Sequence, residues 1–73
     1  MKADYWSRAV NCPEMEFYGS LCEGGIRLAP SEEGTFWAAV IVDNVVRRQF
    51  PSLDEGRAWV EAEVALMAMK DLA

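Results

Sequence analysis

Thr35-Phe36-Trp37-Ala38-Ala39-Val40-Ile41-Val42-Asp43-Asn44-Val45-Val46-Arg47-Arg48-Gln49-Phe50-Pro51-Ser52-Leu53-Asp54-Glu55 reads as strand, turn, strand and helix start. The first eight residues are rich in strand formers. Asp and Asn tolerate positive φ better than other non-glycine residues, so Asp43-Asn44 predicts a two-residue hairpin turn. With that turn Val42 faces Val45, Ile41 faces Val46, Ala39 faces Arg48 and Trp37 faces Phe50. One sheet face then carries Trp37, Ile41, Val46 and Phe50. The other carries Phe36, Ala38, Val40, Val42 and Val45. A strand apolar on both faces is covered on both sides or belongs to an interface.

Pro51-Ser52-Leu53-Asp54-Glu55 marks a helix N-terminus. Ser52 and Glu55 have capping-box spacing, and Asp54 and Glu55 suit the positive end of the helix dipole. Good helix formers continue to about Asp71, with Gly56 the one weak position. Upstream, Gly25 to Ala29 is a short strand joined to 35–42 by the turn-rich Pro30-Ser31-Glu32-Glu33-Gly34. Glu16 to Cys22 is a further strand interrupted at Gly19, and Asp4 to Val10 is open between a helical turn and a strand. The fold class is therefore α+β. A three- or four-stranded antiparallel sheet is expected in a single domain, 1–73, with one C-terminal helix (about 52–71) packed on one face. The expected core is Trp37, Ile41, Val46, Phe50, Trp59 and Leu66.

Composition limits what such a domain can do. The 73 residues are 52% hydrophobic and 26% charged, a globular balance, and eight aromatic side chains can build a small core. There is no His, which removes the usual general base and the commonest metal ligand. Cys12 and Cys22 cannot supply the four ligands of a zinc site, so no metal and no cofactor are expected. A Cys12–Cys22 disulfide is allowed by count. Met1-Lys2-Ala3-Asp4-Tyr5-Trp6 holds no apolar stretch of signal-peptide length, however, and the expected location is cytoplasmic, with the cysteines acting as small buried or half-buried hydrophobes. The longest apolar run, Phe36 to Val42, is seven residues and too short to span a bilayer.

Candidate chemistry is sparse. Glu32/Glu33 fall in a turn, Asp54/Glu55 in a helix first turn, and Glu61/Glu63 point apart on the helix. Gly24-Gly25 lacks a phosphate-loop pattern and reads as a turn or strand entry. The serines have no His to activate them, so no catalytic residue is assigned and the protein is not expected to be an enzyme. Arg47 and Arg48 point to opposite faces of their strand, although Arg27 on a neighbouring strand can extend one face into a small basic spot.

The helix shows two apolar stripes. Ala62, Leu66 and Met69 cluster near Trp59, while Leu53, Val60, Val64 and Met67 form the second group. One stripe covers a small sheet. The second, with the sheet face of Phe36, Val40 and Val42, is either covered by Tyr5, Trp6, Val10, Phe17 and Tyr18 or is a partner surface, in a homodimer or on another protein. The candidate interaction residues are Val60, Val64 and Met67, with Glu32, Glu33, Asp43, Glu61 and Glu63 as a polar rim.

Residues 34–66, from Trp37-Ala-Ala-Val-Ile-Val-Asp-Asn-Val-Val-Arg-Arg-Gln-Phe50 through the Ser52 cap to Trp59, resemble the strand–turn–strand–helix unit of the AP2-like arm-binding domains of phage integrases. That resemblance implies a sheet that enters the DNA major groove. The charge opposes it. Residues 1–25 carry two bases and four acids, 26–51 three and three, and 52–73 two and five, for a net charge of −5. In size, acidity and layout the chain is also similar to small phage-encoded anti-CRISPR and DNA-mimic inhibitors. The expected function is thus a small acidic protein-binding module, an inhibitor that blocks a nucleic-acid-binding surface of a host protein. A small DNA-binding domain of the integrase arm-binding type is the alternative.

Overall fold

A computed structural model describes residues 6–8, 10–19, 21–41 and 45–72. The elements are β1 (Trp6–Arg8), β2 (Met15–Tyr18), β3 (Gly24–Arg27), β4 (Phe36–Ile41), β5 (Val45–Phe50) and α1 (Leu53–Leu72). The five strands form one antiparallel meander in chain order, and α1 packs against it, an α+β layout. The strand count exceeds the three or four expected. Trp6–Arg8, within the segment left open between turn and strand, pairs with β2 in the register Trp6↔Tyr18. Gly19 ends β2 at φ 101°, a conformation that only glycine adopts without cost. No helix among the described residues is long and apolar enough to cross a membrane.

The helix starts where its cap requires. Ser52 Oγ accepts the Glu55 N–H at 3.3 Å, and the Ser52 carbonyl accepts from Gly56 at 3.2 Å. The first bond satisfies a donor that has no partner inside the helix, and the second opens the i→i−4 ladder.

The hairpin register differs from the expectation by one residue. β4 pairs with β5 as Phe36↔Phe50, Trp37↔Gln49, Ala38↔Arg48, Ala39↔Arg47, Val40↔Val46 and Ile41↔Val45. Three residues therefore separate the last paired positions instead of two. The predicted turn at Asp43-Asn44 itself lies outside the described residues. Because side chains alternate with a period of two, this slip changes which residues of β4 and β5 share a face. Phe36, Ala38 and Val40 now stand with Val46, Arg48 and Phe50, and Trp37 and Ala39 with Arg47 and Gln49.

The helix covers the first of these faces. Ile26, Ala38, Val40 and Val60 are the buried hydrophobic residues, and Trp6, Tyr18, Leu28, Phe50, Leu53, Trp59 and Val64 pack against the cluster that Ile26, Ala38 and Val60 form. Phe50 and Trp59 belong to the core as expected, with ring centroids 5.6 Å apart. Trp37, Val46 and Leu66 do not; they are 40%, 49% and 52% exposed. Trp37 points to the uncovered face. Val46 is on the helix side, on the edge strand β5. Leu66 is exposed on α1, although Trp59 of the same stripe reaches the core.

Glycines explain the choice of face. A Cβ on Gly24 would collide with the Val60 Cγ1 methyl, and one on Gly56 would come within 2.5 Å of Ile26 Cδ1. Gly56, Val60 and Val64 are four residues apart, so they form one ridge of α1, which seats against β3 because both surfaces lack a Cβ at the contact. Next to β3, Arg57 Nε donates to Glu16 Oε1 at 3.0 Å, tying β2 to the first half of the helix.

Candidate functional site

The face away from the helix is the part of the fold with exposed chemistry. Two cross-strand rows build it. One runs Met15, Arg27, Trp37, Gln49: Met15 pairs with Arg27, Trp37 with Gln49, and Arg27 lies one position beyond the Ile26↔Ala38 pair. The other runs Ser7, Phe17, Gly25, Ala39, Arg47. Gly25 and Ala39 leave the middle of the face low. A Cβ on Gly25 would come within 3.0 Å of Phe17 Cδ1, so the Phe17 ring borders that gap. The result is an open depression of about 350 Å³ with Gly25 and Ala39 on its floor and Met15, Arg27, Trp37 and Arg47 around it.

Charge is sorted across the molecule. Among the described residues, the strand positions on this face include two arginines and no carboxylate, in a chain of net charge −5. Arg27 and Arg47 make no ion pair with a described residue, whereas Arg57 pairs with Glu16 and lies 3.7 Å from Asp54. Arg27 and Arg47 share this face, although Arg27 is on β3, two strands from β5, and not on the strand next to it as expected. Arg48 is on the helix side, its Cζ 5.8 Å from the Phe50 ring centroid.

The interaction residues read from the sequence are placed differently. Val60 is fully buried and Val64 packs on the core, so both belong to the helix–sheet contact and not to a partner surface. Met67 and Glu63 are half-buried on α1. Glu61 accepts a hydrogen bond from Trp6 Nε1 at 2.6 Å and so holds β1 against the helix. We expect Glu61→Ala to lower stability by about 1 kcal/mol and to change tryptophan emission; an unchanged urea midpoint would count against that role. Glu32 and Glu33 are exposed on a turn fastened by Ser31, whose Oγ accepts the N–H groups of Glu33 and Thr35, each at 3.3 Å. Asp43 lies outside the described residues.

Strand direction puts several carboxylates at one end of the sheet. The turn bearing Glu32 and Glu33 follows β3, the turn bearing Glu14 precedes β2, and α1 begins there with exposed Asp54 and Glu55. Leu28 N donates to the Glu14 carbonyl at 2.7 Å, which joins the first two of these turns.

Cys12 and Cys22 are free thiols. Cys12 is half-buried as expected, but Cys22 is exposed, at φ 58° in the turn before β3. No group of three or more carboxylate or thiol residues among those described could hold a metal ion. Neither the family models nor the curated proteins nor the solved structures compared with this chain include one that matches it.

Proposed function

We propose that this chain is a non-enzymatic protein-binding module whose working surface is the open face of the sheet. The observation that carries the reading is the makeup of that face: Trp37, Met15 and Phe17 with Arg27 and Arg47, and no carboxylate among the described strand positions. Aromatic residues, Met and Arg are enriched at the centres of protein interfaces, while Asp, Glu and Lys are depleted there. The inhibitor version of this reading has the module seated on nucleic-acid-handling machinery in the cytoplasm. The carboxylates at the β3–β4 end would then steer it by charge.

The DNA-binding alternative is favoured by one observation: Arg27, Arg47 and Gln49 lie on the open face of the sheet, and the integrase arm-domain resemblance implies a sheet that enters the major groove. Against it stands the charge. Duplex DNA presents one negative charge per about 1.7 Å of axis, and a chain of −5 offers this polyanion only two arginines here. A homodimer version would use Leu66 and Met69, exposed near the end of α1. A 20-residue helix is about 30 Å long and outruns six-residue strands of about 20 Å.

Capture from nuclease-treated host lysate, followed by mass spectrometry, tests the lead. The expected result is a protein retained by the wild type and by Leu66→Asp but lost with Trp37→Ala. Tight duplex binding that weakens steeply with salt, measured by anisotropy, would replace this reading with the alternative. Light scattering on the same samples reads the homodimer version, which predicts a dimer mass that Leu66→Asp abolishes.

A further inference from the structure

The open face has a charge of its own sign and a limited extent, and together these define an occupant. Arg27 on β3 and Arg47 on β5 stand two strands apart, offset by one row. With strands about 4.8 Å apart and a rise of about 3.4 Å per residue, their Cα atoms are roughly 12 Å apart. That distance brackets a short peptide segment. The floor between them is backbone, Gly25 and Ala39, and the exposed Trp37 ring forms one wall. We propose that the depression takes an acidic segment of a partner protein, a large apolar or aromatic side chain entering beside Trp37 while flanking carboxylates meet Arg27 and Arg47. This rests on the open face being the protein-binding surface.

Charge complementarity selects this occupant over two others. A nucleic acid continues its charge well beyond two arginines. On leaving Arg27 it would meet the end of the sheet that bears Glu14, Glu32 and Glu33. A second copy laid face to face would set Arg27 and Arg47 against their own equivalents. A short segment whose negative charge is local avoids both repulsions. Guanidinium groups also suit it, since their planar donor fork matches a carboxylate.

Nuclear magnetic resonance on the full chain tests this with three probes: acetyl-Glu-Phe-Glu-amide, acetyl-Gln-Phe-Gln-amide and a ten-nucleotide oligothymidylate. The expected result is a shift of the Trp37 indole and of the amides at Gly25, Arg27, Ala39 and Arg47 by the acidic tripeptide. It should bind roughly two- to thirtyfold more tightly than the amide tripeptide, the range for two solvent-exposed ion pairs. Arg27→Gln and Arg47→Gln should each weaken it by roughly two- to fivefold with no change in urea midpoint. Equal binding of the two tripeptides, shifts centred elsewhere, or no shift in the millimolar range would overturn the inference. So would tighter binding of the oligothymidylate at matched salt. If the tripeptides fail while lysate capture still depends on Trp37, the acidic occupant is wrong and the protein-binding surface stands. If capture ignores Trp37, the surface itself is wrong.

Discussion

Gly24→Ala will remove a large share of the stability of this domain. The added methyl lands on Val60 Cγ1 and comes within 3.2 Å of Val64 Cγ2, both stiff β-branched side chains held in the helix–sheet contact. Gly24 is buried and does not sit at positive φ, so backbone strain plays no part and the cost is steric. Overpacking of this kind costs about 1–3 kcal/mol, and a core of this size supplies roughly 3–5 kcal/mol in all. A urea titration followed by circular dichroism should show the midpoint falling by roughly a fifth or more. Trimming the obstacle should reverse part of the loss. The double variant Gly24→Ala/Val60→Ala is expected to be more stable than the two single losses added together, by about 0.5–3 kcal/mol of coupling. A single variant as stable as the wild type would mean that the helix does not approach β3 as described.

The second large effect separates the two stripes of α1. Val60→Asp places a carboxylate at a fully buried position, and Val64→Asp places one against the core. Burying such a group without a partner costs more than the domain has to lose, so both variants should lack cooperative unfolding and a native circular dichroism spectrum. Leu66→Asp changes a residue that is 52% exposed, on the opposite stripe, and should alter stability by about 0.5 kcal/mol or less. Folded Val60→Asp protein beside unfolded Leu66→Asp protein would reverse the assignment of the stripes. Leu66 and Met69 lie on the exposed side of α1, while Trp59 of the same stripe reaches the core beside Phe50.

Local sequence chemistry determined the α+β class, the pairing of β4 with β5 and the start of α1 at the Ser52 cap. Each depends on residues within a few positions of one another: a run of strand formers and its return, or a side-chain oxygen within reach of a backbone N–H three residues on. Which face of the sheet and which stripe of the helix turn inward was decided only by tertiary structure. Both stripes and both faces are apolar enough to be buried, so hydrophobicity leaves the choice nearly balanced. The balance is broken by shape. Gly24 and Gly56 let the Gly56, Val60 and Val64 ridge seat closely on β3, and that contact fixes the helix rotation. The signal was present as a glycine inside a helix and a glycine pair at a strand start, but its meaning depends on the two elements meeting. The candidate site follows from the same event. Once the helix takes the face of Ile26, Ala38 and Val40, alternation leaves Arg27, Trp37 and Arg47 together on the other. Strand register, set by three residues rather than two between Ile41 and Val45, aligns side chains that the sequence keeps ten and twenty positions apart.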